Sequence, residues 1–427
     1  MKKIRNKSLI LTPAFALSCA AVFSFPAVAQ TMIVEETETV SVMEIVPQLT
    51  NTGRQSTRLS NAMNRLEKGT SDVEKSYNDF KSKLAKDYGL QFSLDVSMMG
   101  QKGVPNGGKT ATQSIYSPTL SWQMFNNDFG SGAINASYTA VRYWGNTAAN
   151  IGNDLFVANS INDFTTESNS FDQLSYTQTM FDNKLSVTVG QFPLYDFDGT
   201  QYDSNQQTNF INYALSQNAS ETYPIAGLGA YVQFNPNSEW SFTVGMQNAR
   251  NVSGQTLSGK GWGDKRFTTF GSISYTPTIN GQSGQYSLMV YNQPSVETQP
   301  ENSVGWSVNM SQNITEKWGV FMRANAATGD AMPVSQSYVV GGVYNDPMNR
   351  NPLDQIGLAV AYNKVSKSFF DAATPMRRFE TVVESFWNIG ITQFFTIAPD
   401  IQLYVHPASK TDRDFGTVFS LRGTFLL

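Results

Sequence analysis

From Leu90 to Leu427 the chain is a ladder of short alternating segments, and the gaps between them fall long, short, long, short. That sorting by parity constrains the fold more than any single motif. A soluble sandwich has no reason to collect its long loops on one side. A closed up-and-down barrel across a membrane does, because one rim turns tightly while the other carries long loops. The long gaps are 100–112, 146–169, 192–225, 250–266 and 364–378. The short ones include 126–131, 181–182, 236–238 and 395–399.

The faces of the segments sort as well. In 183–191, Leu185, Val187 and Val189 alternate with Ser186, Thr188 and Gly190. In 239–249, Trp240, Phe242, Val244 and Met246 alternate with Ser241, Thr243, Gly245 and Gln247. The same pattern runs through Val304, Trp306, Val308 and Met310, and through Ile401, Leu403 and Val405. The apolar set is too large for anything but lipid to cover, and the polar set needs a wet lumen. The chain therefore predicts an all-β transmembrane protein: a closed antiparallel up-and-down β-barrel of about 16 strands over 90–427. Closure gives every backbone N–H and C=O in hydrocarbon a partner. An even strand count puts both termini on the short-turn rim, which faces the periplasm.

The N-terminus reads as an export signal. Lys2, Lys3, Arg5 and Lys7 precede an apolar run that ends at Ala27-Val28-Ala29. This predicts a secretory signal peptide over 1–29, cut after Ala29. Cys19 leaves with it, so the mature chain has no disulfide. Residues 30–53 read as an irregular lead. Over 54–88, Leu59, Met63, Leu66, Val73, Tyr77, Phe80 and Leu84 form an a/d seam. Two readings fit this short amphipathic helix. It is a coiled coil that joins copies of the chain or extends through the periplasm, or it folds against the barrel mouth.

Composition narrows the function. The formal net charge is -4 with the signal, whose loss removes four basic residues and no acids. That balance argues against nucleic acid. After the signal no apolar run is long enough for a helical span. The single histidine, His406, has no serine or paired carboxylate placed by pattern to act with it. There is no G-x-S-x-G element, phosphate-cradling loop or metal-spaced cluster, so neither an enzyme nor a cofactor or metal is expected. Asp196, Asp198 and Asp203 lack the spacing of a calcium loop.

The segment Pro224-Ile225-Ala226-Gly227-Leu228-Gly229, followed by the Phe234-Asn235-Pro236 turn, resembles carbohydrate-selective porins of the OprB type. So do Gly190-Gln191-Phe192 and Gly341-Gly342-Val343-Tyr344. So do the run from Asp354 to Tyr362, Glu380 and Glu384 with Phe386, Pro399-Asp400-Ile401-Gln402-Leu403 and His406-Pro407. The resemblance covers 90–427. It implies passive diffusion of sugars through a monomeric or trimeric outer-membrane barrel narrowed by infolded loops. The implied partners are outer-membrane lipid, lipopolysaccharide, the barrel-assembly machinery and small hydrophilic solutes. Two departures stand out. The last residue is Leu427, with Phe425 the nearest aromatic, and inward-facing basic residues are few where an arginine-lined constriction is implied.

The gap 192–225 is rich in solute-binding chemistry. Phe192, Tyr195, Phe197, Tyr202, Phe210 and Tyr213 stand among Asp196, Asp198, Asp203, Asn205, Gln206 and Gln207. Aromatic faces suit the C–H surfaces of sugars, while amides and charges suit their hydroxyls. This loop is expected to pack inside the channel and narrow it, the alternative being a loop at the outer surface. Parity points Arg323, Glu380, Glu384 and Arg422 into the lumen, where they set the field that solutes cross or form structural ion pairs. The expected function is a porin for small hydrophilic solutes, sugars first. The alternatives are a general small-solute and ion pore, or a structural barrel tethered through a periplasmic coiled coil.

Overall fold

The computed structural model describes residues 72–427 except 106–107, 251–256, 258, 260–261, 298, 330 and 371–374. The expected signal peptide with its cut after Ala29, the lead over 30–53 and the helix over 54–71 lie outside the described residues.

Helix α1 runs Asp72–Tyr88. Gly89 ends it at φ 67°, where a Cβ would meet the Gln123 carbonyl oxygen at 2.3 Å, so only glycine makes this bend. The described part of the heptad seam divides. Tyr77 meets Phe394 edge-on at 5.5 Å, and Lys81 Nζ sits 4.7 Å over the Phe92 ring, so the helix lies on the short-turn rim. Val73 and Phe80 of the same seam are exposed, while Glu74, Asn78, Lys81 and Ala85 are buried.

The strands follow in order. They are β1 Leu90–Val104, β2 Thr110–Asn127, β3 Gly130–Gly145, β4 Ser168–Met180, β5 Leu185–Phe192, β6 Gly227–Phe234, β7 Trp240–Asn248 and β8 Phe267–Tyr275. Then come β9 Thr278–Ile279, β10 Gln282–Gln293, β11 Ser303–Asn313, β12 Trp318–Ala327, β13 Val334–Asn345 and β14 Gln355–Val365. Last are β15 Phe379–Gly390, β16 Phe395–Val405 and β17 Phe415–Leu426. Neighbours in sequence pair antiparallel, and β1 pairs with β17 from Asp95↔Leu426 to Val104↔Thr417. The sheet thus has no edge. The two-residue β9 is a strap on β10, so the wall has the sixteen spanning strands that alternation predicts, plus this extra one.

Two boundaries differ from the sequence reading by more than a few residues. β1 and β2 extend into 100–112, which shortens that gap. The predicted turn at 395–399 is the start of β16, and the turn lies at 391–394. Pro399 reads as a turn residue because it cannot donate to a ladder. Here the ladder accommodates it. Pairing with β15 breaks between Phe386↔Asp400 and Ile389↔Ile397, while Pro399↔Leu421 continues on the β17 side. Pro118 does the same in β2, where pairing with β3 skips from Tyr116↔Ala140 to Thr119↔Ser137.

The hydrophobic order is inverted relative to a soluble domain. Val244, Val340, Leu358 and Leu421 are exposed on the outer face. Trp240 stacks on Tyr275 at 4.4 Å, Trp318 packs on Tyr344 at 4.6 Å and Phe395 stacks on Phe425 at 4.4 Å. All three pairs lie at the short-turn ends of their strands, as an interfacial girdle requires.

Candidate pore and its infolded loops

Two loops fold into the barrel. The first, 146–167, contains helix α2, Ala148–Leu155. Thr147 caps it: its hydroxyl accepts from Asn150 N while the Asn150 side chain accepts from Thr147 N. This lets the turn start without neighbours' help. Its apolar side chains Ile151, Leu155 and Ile161 are fully buried. The second loop, 193–226, begins with a 3-10 turn, Leu194–Phe197, and carries a short helix, Tyr213–Ser216, capped by Asn212. Phe210 packs against Phe321 on β12 and Phe386 on β15, and Leu215 is buried in the same cluster. The loop therefore lies in the channel, and the lumen beside β11–β17 is filled with packed side chains.

Four wall charges hold these loops by their backbones. Glu384 on β15 accepts from Ile211 N at 2.5 Å and Asn212 N at 2.9 Å. Glu380, two strand repeats away, accepts from Ala158 N, Asn159 N and Ala408 N at 2.9, 3.0 and 2.9 Å. Arg323 on β12 forms an ion pair with Asp203 at 2.9 Å and donates to the carbonyls of Asp203 and Gln217. Arg422 on β17 donates to the carbonyls of Gln206 and Asn209 and to Asn388 Oδ1. All four side chains are buried. A loop without sheet partners needs such acceptors and donors once it leaves water. Burial pushes the Asp203 carboxyl above the usual carboxylate range, and the Arg323 guanidinium pulls it back.

The structure separates the sequence-predicted site residues by place. Phe192 and Phe197 are buried with Tyr231 and Phe270, with ring centroids 4.9–5.2 Å apart for their contacts with Tyr231. Asp198 is anchored on β11, accepting from Ser307 Oγ at 2.5 Å and Asn309 Nδ2 at 3.0 Å. Tyr202 donates its hydroxyl to Asn313 Oδ1. Asp203 is held by Arg323. Tyr195 and Asp196 differ: both are half-buried, on the solvated edge of the loop. Tyr213 and Glu221 share that condition, and the Tyr213 hydroxyl donates to Glu221 Oε1 at 2.7 Å. The pattern marks 146–169 as a long gap but does not indicate that this loop packs inside the barrel, nor does it single out Glu221. The signal available was the Thr147–Asn150 cap ahead of Ile151 and Leu155, which is unusual for a solvent-washed gap.

The opposite wall is different in kind. Thr177, Thr188, Gln233, Thr243, Ser272 and Ser287 point inward from β4 to β10, alternating with outward side chains such as Val189, Val232, Val244 and Leu288. These hydroxyls and amides bond mostly to one another along the wall, as Thr177 does with Thr188 and Gln233 with Ser241. Among the described residues no group of three His, Cys, Asp or Glu is placed to hold a metal ion.

Comparison with known proteins agrees with this architecture. A family model described as "Carbohydrate-selective porin, OprB family" matches residues 145–427. A protein named Porin AaxA from Chlamydia abortus (strain DSM 27085 / S26/3) is 39% identical over 351 residues, covering 80% of this chain and 78% of that one. Porin AaxA of Chlamydia pneumoniae is 37% identical over 346 residues, covering 79% of each. Among solved structures, the high-pH structure of Pseudomonas putida OprB shares the fold, with TM-score 0.68, 18% identity, and coverage of 82% of this chain and 97% of that one.

Proposed function

Since this chain belongs to the carbohydrate-selective porins of the OprB family, we propose that its outer-membrane barrel passes small neutral hydrophilic solutes, sugars first, by passive diffusion. The protein is a porin: a channel through which solutes move down their gradient. What carries the sugar reading is the lumen's division. One side is filled by clamped loops, and the other is a wall of hydroxyls and amides. Between them we place the constriction at the loop edge formed by Tyr195, Asp196, Tyr213 and Glu221. In this reading Phe192, Phe197, Tyr202, Asp198 and Asp203 brace the loop from behind. Arg323, Glu380, Glu384 and Arg422 set the pore's width by seating the loops rather than by touching solute. Rings flanked by carboxylates and amides suit a flat polyol.

The remaining assignments belong to the same proposal. Residues 1–29 are a signal peptide and 30–53 a lead, and 54–88 form a periplasmic helix. Both termini lie on the periplasmic rim. The barrel is delivered by the assembly machinery into outer-membrane lipid and lipopolysaccharide, and it has no catalytic role.

A general small-solute pore with a mild cation preference is the second reading, and one observation favours it. On the inward strand faces Asp95, Asp172, Glu380, Glu384 and Asp400 outnumber Arg323 and Arg422. Fixed negative charge in a lumen favours cations.

Planar-bilayer recording followed by liposome swelling tests both. Stepwise conductance is expected. Swelling should be faster with neutral hexoses than with amino acids or salts of similar size. Equal rates for all of them would remove the sugar preference and leave the general pore, whose reversal potential in a salt gradient would then lie on the cation side.

A further inference from the structure

We propose that the outer face of β13–β15, at its long-loop end, binds the phosphorylated headgroup of an outer-leaflet lipid, the lipid A of lipopolysaccharide, through Lys364 and Arg378. This rests on the reading that the long-loop rim faces the cell exterior. The outward side chains there form two rungs. Tyr338 pairs with Tyr362, while Gln336 pairs with Lys364 and Lys364 with Phe379. Tyr362 stacks on Phe379, with ring centroids 4.9 Å apart and planes 13° from parallel. The Arg378 guanidinium carbon lies 5.4 Å from the Phe379 ring centroid, which brings this cation to the same outward face as Lys364.

Both cations are open to a partner from outside the protein. Among the described residues, neither the Lys364 ammonium nor the Arg378 guanidinium has a hydrogen-bond or ion-pair partner. Their neighbours are occupied. Arg377 pairs with Asp414 at 3.0 Å, and Glu380 turns inward to the amides of Ala158 and Asn159. The short-turn end of the same wall makes a useful contrast. There Lys317 Nζ lies 5.9 Å from the Tyr344 ring centroid, yet it donates to the Asp346 carbonyl and to Asn349 Oδ1. Both ends set a basic side chain against an outward ring. At the short-turn end the protein itself satisfies the charge; at this corner of the long-loop rim it does not.

The layering sets the ligand class. Toward mid-membrane the same outward face continues as Val340 opposite Val360, with Leu358 beyond them, and Val340 and Leu358 are exposed. Acyl chains suit that surface. Tyr338 and Tyr362 stand above it, where amphipathic rings meet headgroups. Lys364 and Arg378 come last. Cations above rings above aliphatic side chains match phosphate above acyl chains in one amphiphile. A soluble anion would leave the rings and valines without a role. Arg378 offers a planar fork to two phosphate oxygens, and Lys364 adds a point charge. Lipid A carries phosphate monoesters of about −1.5 to −2 charge each near neutral pH, against one charge on a phospholipid's diester, so two adjacent cations favour lipid A.

The test is native mass spectrometry of the refolded full chain in neutral detergent, titrated with lipid A, dephosphorylated lipid A, phosphatidylglycerol and inorganic phosphate. Lipid A should be retained most strongly, and excess inorganic phosphate should not displace it. Lys364→Gln and Arg378→Gln should each weaken retention several-fold to about tenfold, and the double variant more, as expected for lost charge-assisted bonds at a partly exposed site. Lys102→Gln, exposed on the outer face of β1, should change nothing. These side chains lie at the surface, so unchanged urea unfolding should accompany every variant. A double variant that holds lipid A like the parent overturns the site. Equal retention of phosphatidylglycerol or of dephosphorylated lipid A overturns the assignment to lipid A, and displacement by phosphate overturns a lipid ligand altogether. Orientation is read separately, with Lys367→Cys in the exposed loop after β14 and a membrane-impermeant maleimide on intact cells. Labelling supports the outward rim; failure to label overturns that reading and leaves the detergent result to judge the site by itself.

Discussion

The two sides of the lumen are built from the same strand pattern and reach opposite solutions. Along β11–β17 the inward positions carry Arg323, Glu380, Glu384 and Arg422 together with Phe321 and Phe386, and protein fills the space they face. Along β4–β10 the inward positions are mostly Ser, Thr and Gln, and a recess remains. The difference shows what an inward-facing charge does in a barrel of this width. Near a loop with unpaired backbone groups it becomes a clamp. Small hydroxyls cannot reach across to a distant loop.

Breaking a clamp should have the largest effect. Arg323→Ala leaves Asp203 buried without its counter-charge, which costs about 3–5 kcal/mol. Urea unfolding in detergent micelles should register that loss. Single-channel current should rise as the loop 193–226 loosens; an unchanged conductance would show that this wall does not set the pore width.

The outer face supplies the next contrast. Val244 is 65% exposed at mid-strand in β7, where lipid covers it. Val244→Arg should destabilise the barrel by about 2–4 kcal/mol, yet molecules that fold should conduct normally. A stability change near zero would place this face away from hydrocarbon.

Subtler is Glu384→Gln, which keeps one acceptor oxygen but puts an amide NH2 where the other oxygen accepts from Ile211 N or Asn212 N. A cost of about 1–3 kcal/mol is expected, seen mainly as added current noise and brief closures. Glu380→Gln should act on the other loop, through Ala158 and Asn159, so the noise of the two variants should differ in duration. Identical noise would mean that the loops move as one body.

The smallest effect is expected across the lumen. Ser272→Ala removes a hydroxyl that no backbone depends on, so stability should change by about 1 kcal/mol or less and salt conductance should hold. A large loss here would erase the distinction between the two walls.

Much of the wall was legible because strand periodicity is local. Leu185-Ser186-Val187-Thr188 states its two faces without reference to any other segment. The infolding of 193–226 was legible through its aromatic residues, which a loop in water has no means to cover. The start of β16 was not, because Pro399 is compatible with either a turn or a strand with one broken ladder bond. Nor was the loop 146–167, whose apolar residues are too few to compete with its many polar ones until Ile151 and Leu155 find the barrel wall. Arg323, Glu380, Glu384 and Arg422 were placed inward by parity alone; parity says nothing of what they meet.

Sequence by itself therefore determined the membrane-facing and lumen-facing sets, the rim that carries the long loops and the closed ladder that both imply. These follow from a two-residue repeat and from the need to pair every backbone group in hydrocarbon. Only the tertiary structure decided which carboxylate holds which loop and where the lumen stays open. Glu384 and Ile211 are 173 residues apart, and they meet across the lumen of a ring whose register the pairing of β1 with β17 completes. No local pattern encodes a contact that closure itself creates.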